Sequence, residues 1–305
     1  MRYSLFIMES ALATIQSPAR PRIPAWIRSR PVGGDRYLQL RAARQGFKLH
    51  TVCEEARCPN IGECWSHGTA TFMLMGDTCT RRCNFCSVNK GKPGSLDPNE
   101  PASIAEVIGA MRLDYAVLTS VTRDDLPDQG AGHIAATIEA VHRRSPTCKL
   151  EMLIPDFRGD ADCVRRVVAT PLLVLSHNLE TVPRLYRQVR PAAVYERSLR
   201  VLEMAKEFQP GILTKSGLML GLGETRAELL EVFADLRRSD CDILTLGQYL
   251  QPSPEQLPVQ TFITPREFAE LRQDALALGF RHVESGPVVR TSYHAWQQVE
   301  QLERQ

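Results

Sequence analysis

The chain has 305 residues, of which 43% are hydrophobic and 24% are charged, and its formal net charge is +2. This composition is typical of a globular protein, and the length allows one large domain or two ordinary ones. No apolar run reaches the roughly 18 residues that a transmembrane helix needs. The nine cysteines are an odd number, which argues against a framework of disulfides. We therefore predict a cytoplasmic protein with free thiols and no membrane partner.

Residues 1–32 are predicted to form an irregular N-terminal arm. The arm contains Pro18, Pro21, Pro24 and Pro31. Each proline lacks a backbone hydrogen-bond donor and disfavours helix in the residue before it. The first residues do not predict a signal peptide, because their apolar stretch is short and Glu9 interrupts it.

Residues 20–48 carry eight basic side chains and a single acid, Asp35. The basic residues are Arg20, Arg22, Arg28, Arg30, Arg36, Arg41, Arg44 and Lys48. Two interpretations stay open, a solvated basic segment and a docking surface for an acidic partner protein. Nucleic acid is not an expected partner, because no known nucleic-acid module accompanies the charge.

From Thr71 onward, short apolar runs rich in β-branched residues alternate with amphipathic stretches that are long enough to form helices. The six strand candidates are 71–76, 115–121, 149–155, 172–178, 215–223 and 242–250. The helix candidates are 104–113, 134–144, 162–169, 185–189, 196–208, 226–237 and 265–278. The last helix follows Thr264-Pro265, a cap residue and then a proline at the first helical position.

This alternation predicts a parallel sheet covered by helices. Because right-handed crossovers curve such a sheet, six units favour a partial (β/α)6 barrel of the TIM type over a doubly wound sheet. Both α/β folds place their chemistry at the carboxyl ends of the strands. The segments "TSVTRDD", "SHN", "GLGE" and "GQYLQPS" fall at those ends, and "CTRRCNFC" follows the first strand.

Cys79, Cys83 and Cys86 have the spacing C-x3-C-x2-C. Three thiolates can hold three irons of a [4Fe-4S] cluster and leave one iron without a protein ligand. A structural zinc site needs four ligands, and a disulfide would leave the third thiol unpaired. With Phe85 before the last cysteine, the loop resembles the cluster loop of the radical S-adenosylmethionine superfamily. In that superfamily S-adenosylmethionine chelates the open iron, and its reductive cleavage yields a 5′-deoxyadenosyl radical.

A second triad, Cys53, Cys58 and Cys64, precedes the predicted barrel with the spacing C-x4-C-x5-C. Taken alone, this triad leaves a zinc site open as an interpretation. The pair of spacings resembles the lipoyl synthase family over residues 22–296. The resemblance extends to "LTSVTRDDL" at 118–126, "HNLETV" at 177–182, "KSGLMLGLGET" at 215–225, "GQYLQPS" at 247–253 and "VVRTSYHA" at 288–295.

The resemblance implies that Cys53, Cys58 and Cys64 hold an auxiliary [4Fe-4S] cluster. Its fourth ligand in the family is the second serine of an R-S-S-Y motif. The motif reads Arg290-Thr291-Ser292-Tyr293 here, so Ser292 takes that role and Thr291 replaces the first serine. A hydroxyl is a harder ligand than a thiolate, which suits an iron that must leave when the cluster gives up sulfide.

The resemblance also assigns residues to S-adenosylmethionine. They are Phe85, Thr119, Ser120, Val121, Asn178, Leu220, Gln248, Tyr249 and Leu250. Core positions are the alternative interpretation for Val121, Leu220 and Leu250. Asn178 and Gln248 are favoured as ligands, because a buried amide at the mouth of a strand needs a specific partner.

Cys148, Cys163 and Cys241 match no ligand spacing. We predict that these three residues are small buried hydrophobic side chains without a role in the chemistry.

The implied organisation is an arm (1–32), an auxiliary-cluster segment (33–70), the barrel (71–280) and a C-terminal segment that closes the auxiliary cluster (281–305). The implied activity is that of a sulfurtransferase, which inserts two sulfur atoms at C6 and C8 of a protein-bound octanoyl-lysine. S-adenosylmethionine would be the radical source and the auxiliary cluster the sulfur donor. The implied partners are the octanoylated lipoyl-carrier protein, an electron-donor protein and an iron–sulfur carrier that rebuilds the auxiliary cluster.

The sequence leaves two alternative functions open. A sulfur-inserting enzyme of the biotin synthase type would share the C-x3-C-x2-C loop, but it would lack both the second triad and the R-T-S-Y terminus. A non-catalytic zinc scaffold would hold zinc without sulfide.

Overall fold

The computed structural model describes residues 22–27, 38, 41–42, 50–55, 58, 60–66 and 69–304. Most of the predicted arm lies outside the described residues, as do Arg20, Arg28, Arg30, Arg36, Arg44 and Lys48. No helix within the described ranges combines the length and the apolar character that crossing a membrane requires.

The strands, in chain order, are β1 (His50–Thr51), β2 (Thr71–Leu74), β3 (Thr78–Cys79), β4 (Asn89–Lys90), β5 (Tyr115–Ser120), β6 (Lys149–Leu153), β7 (Val174–Ser176), β8 (Leu213–Leu220), β9 (Ile243–Gln248) and β10 (His282–Gly286). The main sheet has the order β1-β2-β5-β6-β7-β8-β9-β10, and β3 pairs with β4 in a separate ladder. Every pair in the main sheet is parallel except β1 with β2.

The helices are α1 (Val52–Glu55), α2 (Ile61–Ser66), α3 (Glu100–Ala110), α4 (Ala131–Arg144), α5 (Ala161–Val168), α6 (Tyr186–Val189), α7 (Tyr195–Phe208), α8 (Arg226–Arg238), α9 (Pro265–Ala277) and α10 (Ala295–Glu303). Short 3₁₀ turns cover Phe157–Gly159 and Pro183–Leu185. Helices α8 and α9 each begin with a capping box, at Thr225 and Thr264, and α9 has the predicted proline in its first turn. The predicted helices are confirmed, with ends that differ by a few residues.

The predicted partial barrel is confirmed. All six predicted strands are present as β2 and β5 to β9, and they lie side by side in the order of the sequence. The sheet stays open, because β10 lies at one end of the strand order and β1 at the other. Strand β10 is a seventh parallel strand that we did not predict. Only His282 and Val283 of its five residues are buried, so it lacks the apolar run that marks the other strands.

A buried polar cluster lies inside the sheet. The carboxylate of Glu151 on β6 lies 3.0 Å from the ammonium of Lys215 on β8, and it accepts hydrogen bonds from Tyr115 (2.9 Å) and Ser176 (2.8 Å). Because every member has a partner, the cluster satisfies charges that would otherwise be costly to bury. Nearby, Tyr115, Val117 and Val174 pack against helix α10, which joins the C-terminal segment to the barrel.

Candidate functional site

The first cysteine triad lies on a loop at the carboxyl end of β2. Cys79 ends β3, which pairs with β4 at Lys90, so the ladder closes the loop that carries Cys83 and Cys86. The backbone N–H groups of Arg81 and Thr122 donate to Cys79 Sγ at 3.4 and 3.3 Å. N–H donors of this kind stabilise a thiolate, which is the form that binds metal.

Arg81 anchors this loop to the barrel. Its guanidinium lies 2.9 Å from Asp124, which follows β5, and 2.6 Å from Asp156, which follows β6. Burial raises the pKa of Asp156, but the hydrogen bonds and charge of Arg81 outweigh it and hold that pKa at about 2. Asp156 is therefore ionised at neutral pH, and the loop is held by a charged network whose members are largely buried.

Within the triad, the thiols lie close enough to influence one another. Burial is the main cause that raises the pKa of Cys86, to about 11, and the charges of Cys83 and Cys79 raise it further. Burial also raises the pKa of Cys83, and the positive charge of Arg190 opposes this rise. The thiols of Cys83 and Cys86 are thus protonated at neutral pH in the absence of metal, and a bound iron would displace those protons.

The second triad lines a pocket outside the barrel together with Ser292. Cys53 belongs to α1, Cys64 belongs to α2, and Cys58 lies between them, where its N–H donates to the Cys53 carbonyl at 2.9 Å. The pocket is partly open to solvent. Arg290 and Tyr293 also line it, whereas Thr291 does not. The structure therefore brings Ser292 to the three cysteines although more than two hundred residues separate them.

Three contacts hold the C-terminal segment over this pocket. Asn60 donates from its side-chain amide to the Val288 carbonyl at 2.6 Å. Glu63 accepts from the Tyr293 hydroxyl at 3.2 Å and lies 3.4 Å from the His294 ring nitrogen. The rings of Tyr293 and His294 stack with centroids 3.8 Å apart. Residues next to the cysteines thus bind residues next to Ser292.

The donor set of this pocket suits an iron–sulfur cluster. Its thiols interact, since the charges of Cys53 and Cys58 raise the pKa of Cys64 in addition to burial, which is the main cause. In a [4Fe-4S] cluster each ligand binds a different iron, so the three thiolates and the Ser292 hydroxyl would supply one ligand to each iron.

Arg290 supplies a second indication of what the pocket would hold. Its side chain is half-buried beside Cys58, and no carboxylate among the residues of the described ranges forms an ion pair with it. Burial lowers the pKa of Arg290, and the charge of Cys58 opposes this decrease. A cation that is partly removed from water is stabilised by an anionic neighbour, and thiolates around an iron–sulfur cluster would provide one.

Residues assigned to S-adenosylmethionine surround the carboxyl end of the sheet. Thr119 and Ser120 end β5, Leu220 ends β8, and Asn178 follows β7. The Ser120 hydroxyl and the Asn178 side-chain oxygen are buried and have no hydrogen-bond partner within the part of the chain that the structure describes. Unpartnered polar atoms at this edge are consistent with a polar ligand that completes their hydrogen bonds.

Other assigned residues have structural contacts instead. The Gln248 amide donates to the carbonyls of Leu220 (2.9 Å) and Thr261 (3.0 Å), and its oxygen accepts from the Ile263 N–H at 2.8 Å. The backbone therefore satisfies this buried amide, and the assignment of Gln248 to S-adenosylmethionine stays a prediction. The Tyr249 hydroxyl donates to the Leu257 carbonyl at 2.7 Å. Val121 and Leu220 are buried in the core, which is the alternative interpretation of these two residues. Phe85 and Leu250 are half-buried.

Three residues near the first triad were missed by the sequence analysis. Arg190 is buried and donates to the carbonyls of Asn178 (2.7 Å) and Leu179 (3.0 Å). Glu180 has a positive φ of 67° and accepts from the Asn178 amide at 3.0 Å. His177 donates from Nδ1 to the Ile154 carbonyl at 2.9 Å, and burial lowers its pKa to about 4. Arg190 belongs to no motif, and a positive φ at a glutamate has no sequence signal.

Cys148, Cys163 and Cys241 are buried, as predicted. Burial is the main cause that raises the pKa of Cys148 and Cys241 to about 12 and that of Cys163 to about 11. Thiols with such pKa values are poor nucleophiles at neutral pH.

Comparisons with known proteins show the family to which the chain belongs. Residues 73–236 match the model of the radical SAM superfamily, and residues 9–58 match that of the N-terminal domain of lipoyl synthase. Lipoyl synthase of Laribacter hongkongensis is 54% identical over 282 residues, covering 92% of this chain and 90% of that protein. Lipoyl synthase of Rubrobacter xylanophilus is 51% identical over 289 residues, covering 95% and 90% respectively.

Solved structures share the fold at low sequence identity. Methylornithine synthase has a TM-score of 0.54 and 14% identity, with 83% of this chain and 79% of that chain covered. SuiB of Streptococcus suis, solved with bound S-adenosylmethionine, has a TM-score of 0.57 and 10% identity, with 80% and 56% covered. These similarities concern the fold of the barrel alone.

Proposed function

The chain belongs to the lipoyl synthase family of radical S-adenosylmethionine enzymes, and we propose that it inserts sulfur at C6 and C8 of an octanoyl chain carried on a lysine of a lipoyl-carrier protein. The observation that carries this proposal is the pocket lined by Cys53, Cys58, Cys64 and Ser292, outside a barrel with a cysteine triad of its own. Two separate sets of thiols on one chain allow radical generation and sulfur donation to be divided between two sites.

In this proposal Cys79, Cys83 and Cys86 hold one [4Fe-4S] cluster, and the second triad with Ser292 holds another. When bound, the first cluster supplies the electron that cleaves S-adenosylmethionine to a deoxyadenosyl radical, and the second supplies the sulfur. The chain positions both groups. Arg81 fixes the first loop through two carboxylates, and Arg290 offsets the negative charge of the second site.

Residues around the first triad would orient S-adenosylmethionine. The unpartnered oxygens of Ser120 and Asn178 would take part in its hydrogen bonds, and Thr119 and Phe85 would line the site beside them. Val121, Leu220, Gln248, Tyr249 and Leu250 would support the site through packing and backbone hydrogen bonds. His177 is neutral at pH 7, so it would act as a hydrogen-bond acceptor through Nε2.

The proposed activity requires partners beyond the carrier protein. Reductive cleavage needs an electron-donor protein, and an iron–sulfur carrier would rebuild the auxiliary cluster after it gives up sulfur. All nine cysteines of the chain are free. Because both sites need reduced thiols, a reducing compartment such as the cytoplasm is the expected location.

Anaerobic reconstitution followed by reaction with an octanoylated carrier tests the proposal. We expect about eight irons and as many acid-labile sulfides per chain, and mass spectrometry should show two sulfur atoms added to the acyl chain. Cys241→Ala is the matched control, since it removes a buried thiol outside both triads. Zinc without sulfide would support the scaffold alternative, and insertion of a single sulfur would support the biotin synthase type.

A further inference from the structure

A tight turn in the C-terminal segment points two neighbouring side chains at two different sites. The Tyr293 N–H donates to the Arg290 carbonyl at 2.8 Å, which makes Thr291 and Ser292 the central residues of the turn. Ser292 lines the pocket of the second cysteine triad. Thr291 Oγ1 instead accepts a hydrogen bond of 2.9 Å from the side-chain amide of Asn178, at the carboxyl end of β7.

Contacts on every side confine the Asn178 side chain. Its amide nitrogen donates one hydrogen to Thr291 and the other to Glu180, at 3.0 Å. Its oxygen lies over Gly217 of β8, where an added Cβ would come within 2.9 Å of it. Arg190 holds the Asn178 backbone carbonyl at 2.7 Å. Of the two polar atoms of the side chain, the oxygen lacks a hydrogen-bond partner among the described residues, so this oxygen is the side-chain atom that a bound ligand would engage.

We propose that Thr291 is a positioning residue that couples the S-adenosylmethionine site to the serine ligand of the second cluster through Asn178. The inference rests on the proposed function and deepens it. A ligand that fixes the Asn178 amide also fixes its bond to Thr291, and the closed turn transmits that constraint to Ser292. Such coupling is reciprocal, so a filled auxiliary site must in turn strengthen S-adenosylmethionine binding.

The chemistry of residue 291 makes the inference specific. Serine and threonine both present a hydroxyl oxygen that accepts the Asn178 hydrogen bond, whereas valine has the shape of threonine without the acceptor. Thr291→Val removes the link and leaves a buried donor unsatisfied, while Thr291→Ser keeps the link.

The test measures the dissociation constant of S-adenosylmethionine in reconstituted protein, with and without the second cluster. Cys58→Ala provides the form without that cluster. In the parent chain we expect Cys58→Ala to raise the dissociation constant of S-adenosylmethionine about twofold to tenfold, which is the effect of losing one neutral hydrogen bond. In the Thr291→Val background the same change should have no effect, and Thr291→Ser should restore it.

A second variant approaches Asn178 from the opposite side. Gly217→Ala places a methyl group against the Asn178 oxygen and Thr245, and it should also abolish the effect of Cys58→Ala. The inference alone is overturned if the parent chain binds S-adenosylmethionine and the effect of Cys58→Ala is the same in the Thr291→Val background. Absence of S-adenosylmethionine binding in the parent chain would overturn the proposed function together with the inference.

Discussion

Gly247 on β9 lies directly against the carbonyl oxygen of Val289, so closely that a Cβ at position 247 would overlap that oxygen. Only glycine permits this contact. The carbonyl belongs to the segment that precedes Arg290 and Ser292. The absence of a side chain at Gly247 therefore decides where the C-terminal segment crosses the end of the sheet.

Gly247→Ala should displace this segment and weaken the second cluster site. We expect the variant to keep the iron of the first triad and to lose most of the iron of the second, because Val289 must move and Ser292 moves with it. Iron and sulfide analysis checks this. Gly211→Ala is the matched control, since a Cβ there would have no atom within 4 Å. Full iron content in the Gly247→Ala protein would show that the crossing does not position Ser292.

The two triads should be separable by substitution. Cys83→Ala should abolish reductive cleavage of S-adenosylmethionine, because its thiolate would be one of the three protein ligands of the first cluster. Cys58→Ala should leave cleavage measurable and stop sulfur insertion. Deoxyadenosine release reports the first activity, and mass spectrometry of the carrier reports the second. Lipoyl formation by Cys58→Ala would refute the assignment of the sulfur donor.

Arg81→Met should destabilise the chain and impair the first cluster site. The substitution leaves Asp156, whose side chain is fully buried, with the longer contact of 3.3 Å to Arg197 as its remaining ion pair, beside a hydrogen bond from the Arg158 N–H. Breaking a buried ion pair from one side costs about 3 to 5 kcal/mol. Denaturant unfolding of the cluster-free chain measures this loss. Arg82→Met, at the exposed neighbouring position, is the control and should unfold as the parent chain does.

His177 should make the folded chain less stable in mild acid. Its pKa is about 4 in the fold, below the ordinary 6.5, mainly because of burial. Between pH 6.5 and 4 the unfolded chain therefore binds a proton that the folded chain does not, so stability falls as the pH falls. The contribution of this group reaches about 3 kcal/mol.

His177→Asn tests this pH dependence, because the asparagine amide still has a donor for the Ile154 carbonyl but does not titrate. Its free energy of unfolding should decline less steeply over the same pH range. His142→Asn, on the exposed face of α4, controls for the substitution itself. Parallel pH profiles for the parent chain and His177→Asn would contradict the assignment.

Sequence periodicity was sufficient to predict the barrel, because strands that are buried on both faces are marked by apolar runs. Strands such as β5 and β9 are predominantly apolar and buried along almost their whole length, and the capping boxes of α8 and α9 are local signals. Strand β10 was not predictable in the same way. It is a strand because it pairs with β9, with His282 opposite Ile243. The mostly polar segment "HVESG" does not predict this pairing.

Cysteine spacing identified the two triads, but the residues that surround them could be identified only from the fold. Arg81 and Arg290 lie inside the cysteine loop and the R-T-S-Y motif, but their spacing does not show which groups they contact, and Arg190 belongs to no motif at all. Gln248 shows the reverse case. A buried amide does need partners, but the backbone carbonyls of Leu220 and Thr261 meet that need as well as a cofactor would.

The position of Ser292 also orders events during synthesis. The chain emerges from the ribosome with its N-terminal end first, so the cysteines of both triads appear long before residue 292. The loop of Cys79, Cys83 and Cys86 and the strands beside it are complete while the second pocket still lacks one wall. A chain that ends before residue 292 would keep all six cysteines of the two triads and lack the wall that Ser292 contributes to the second pocket.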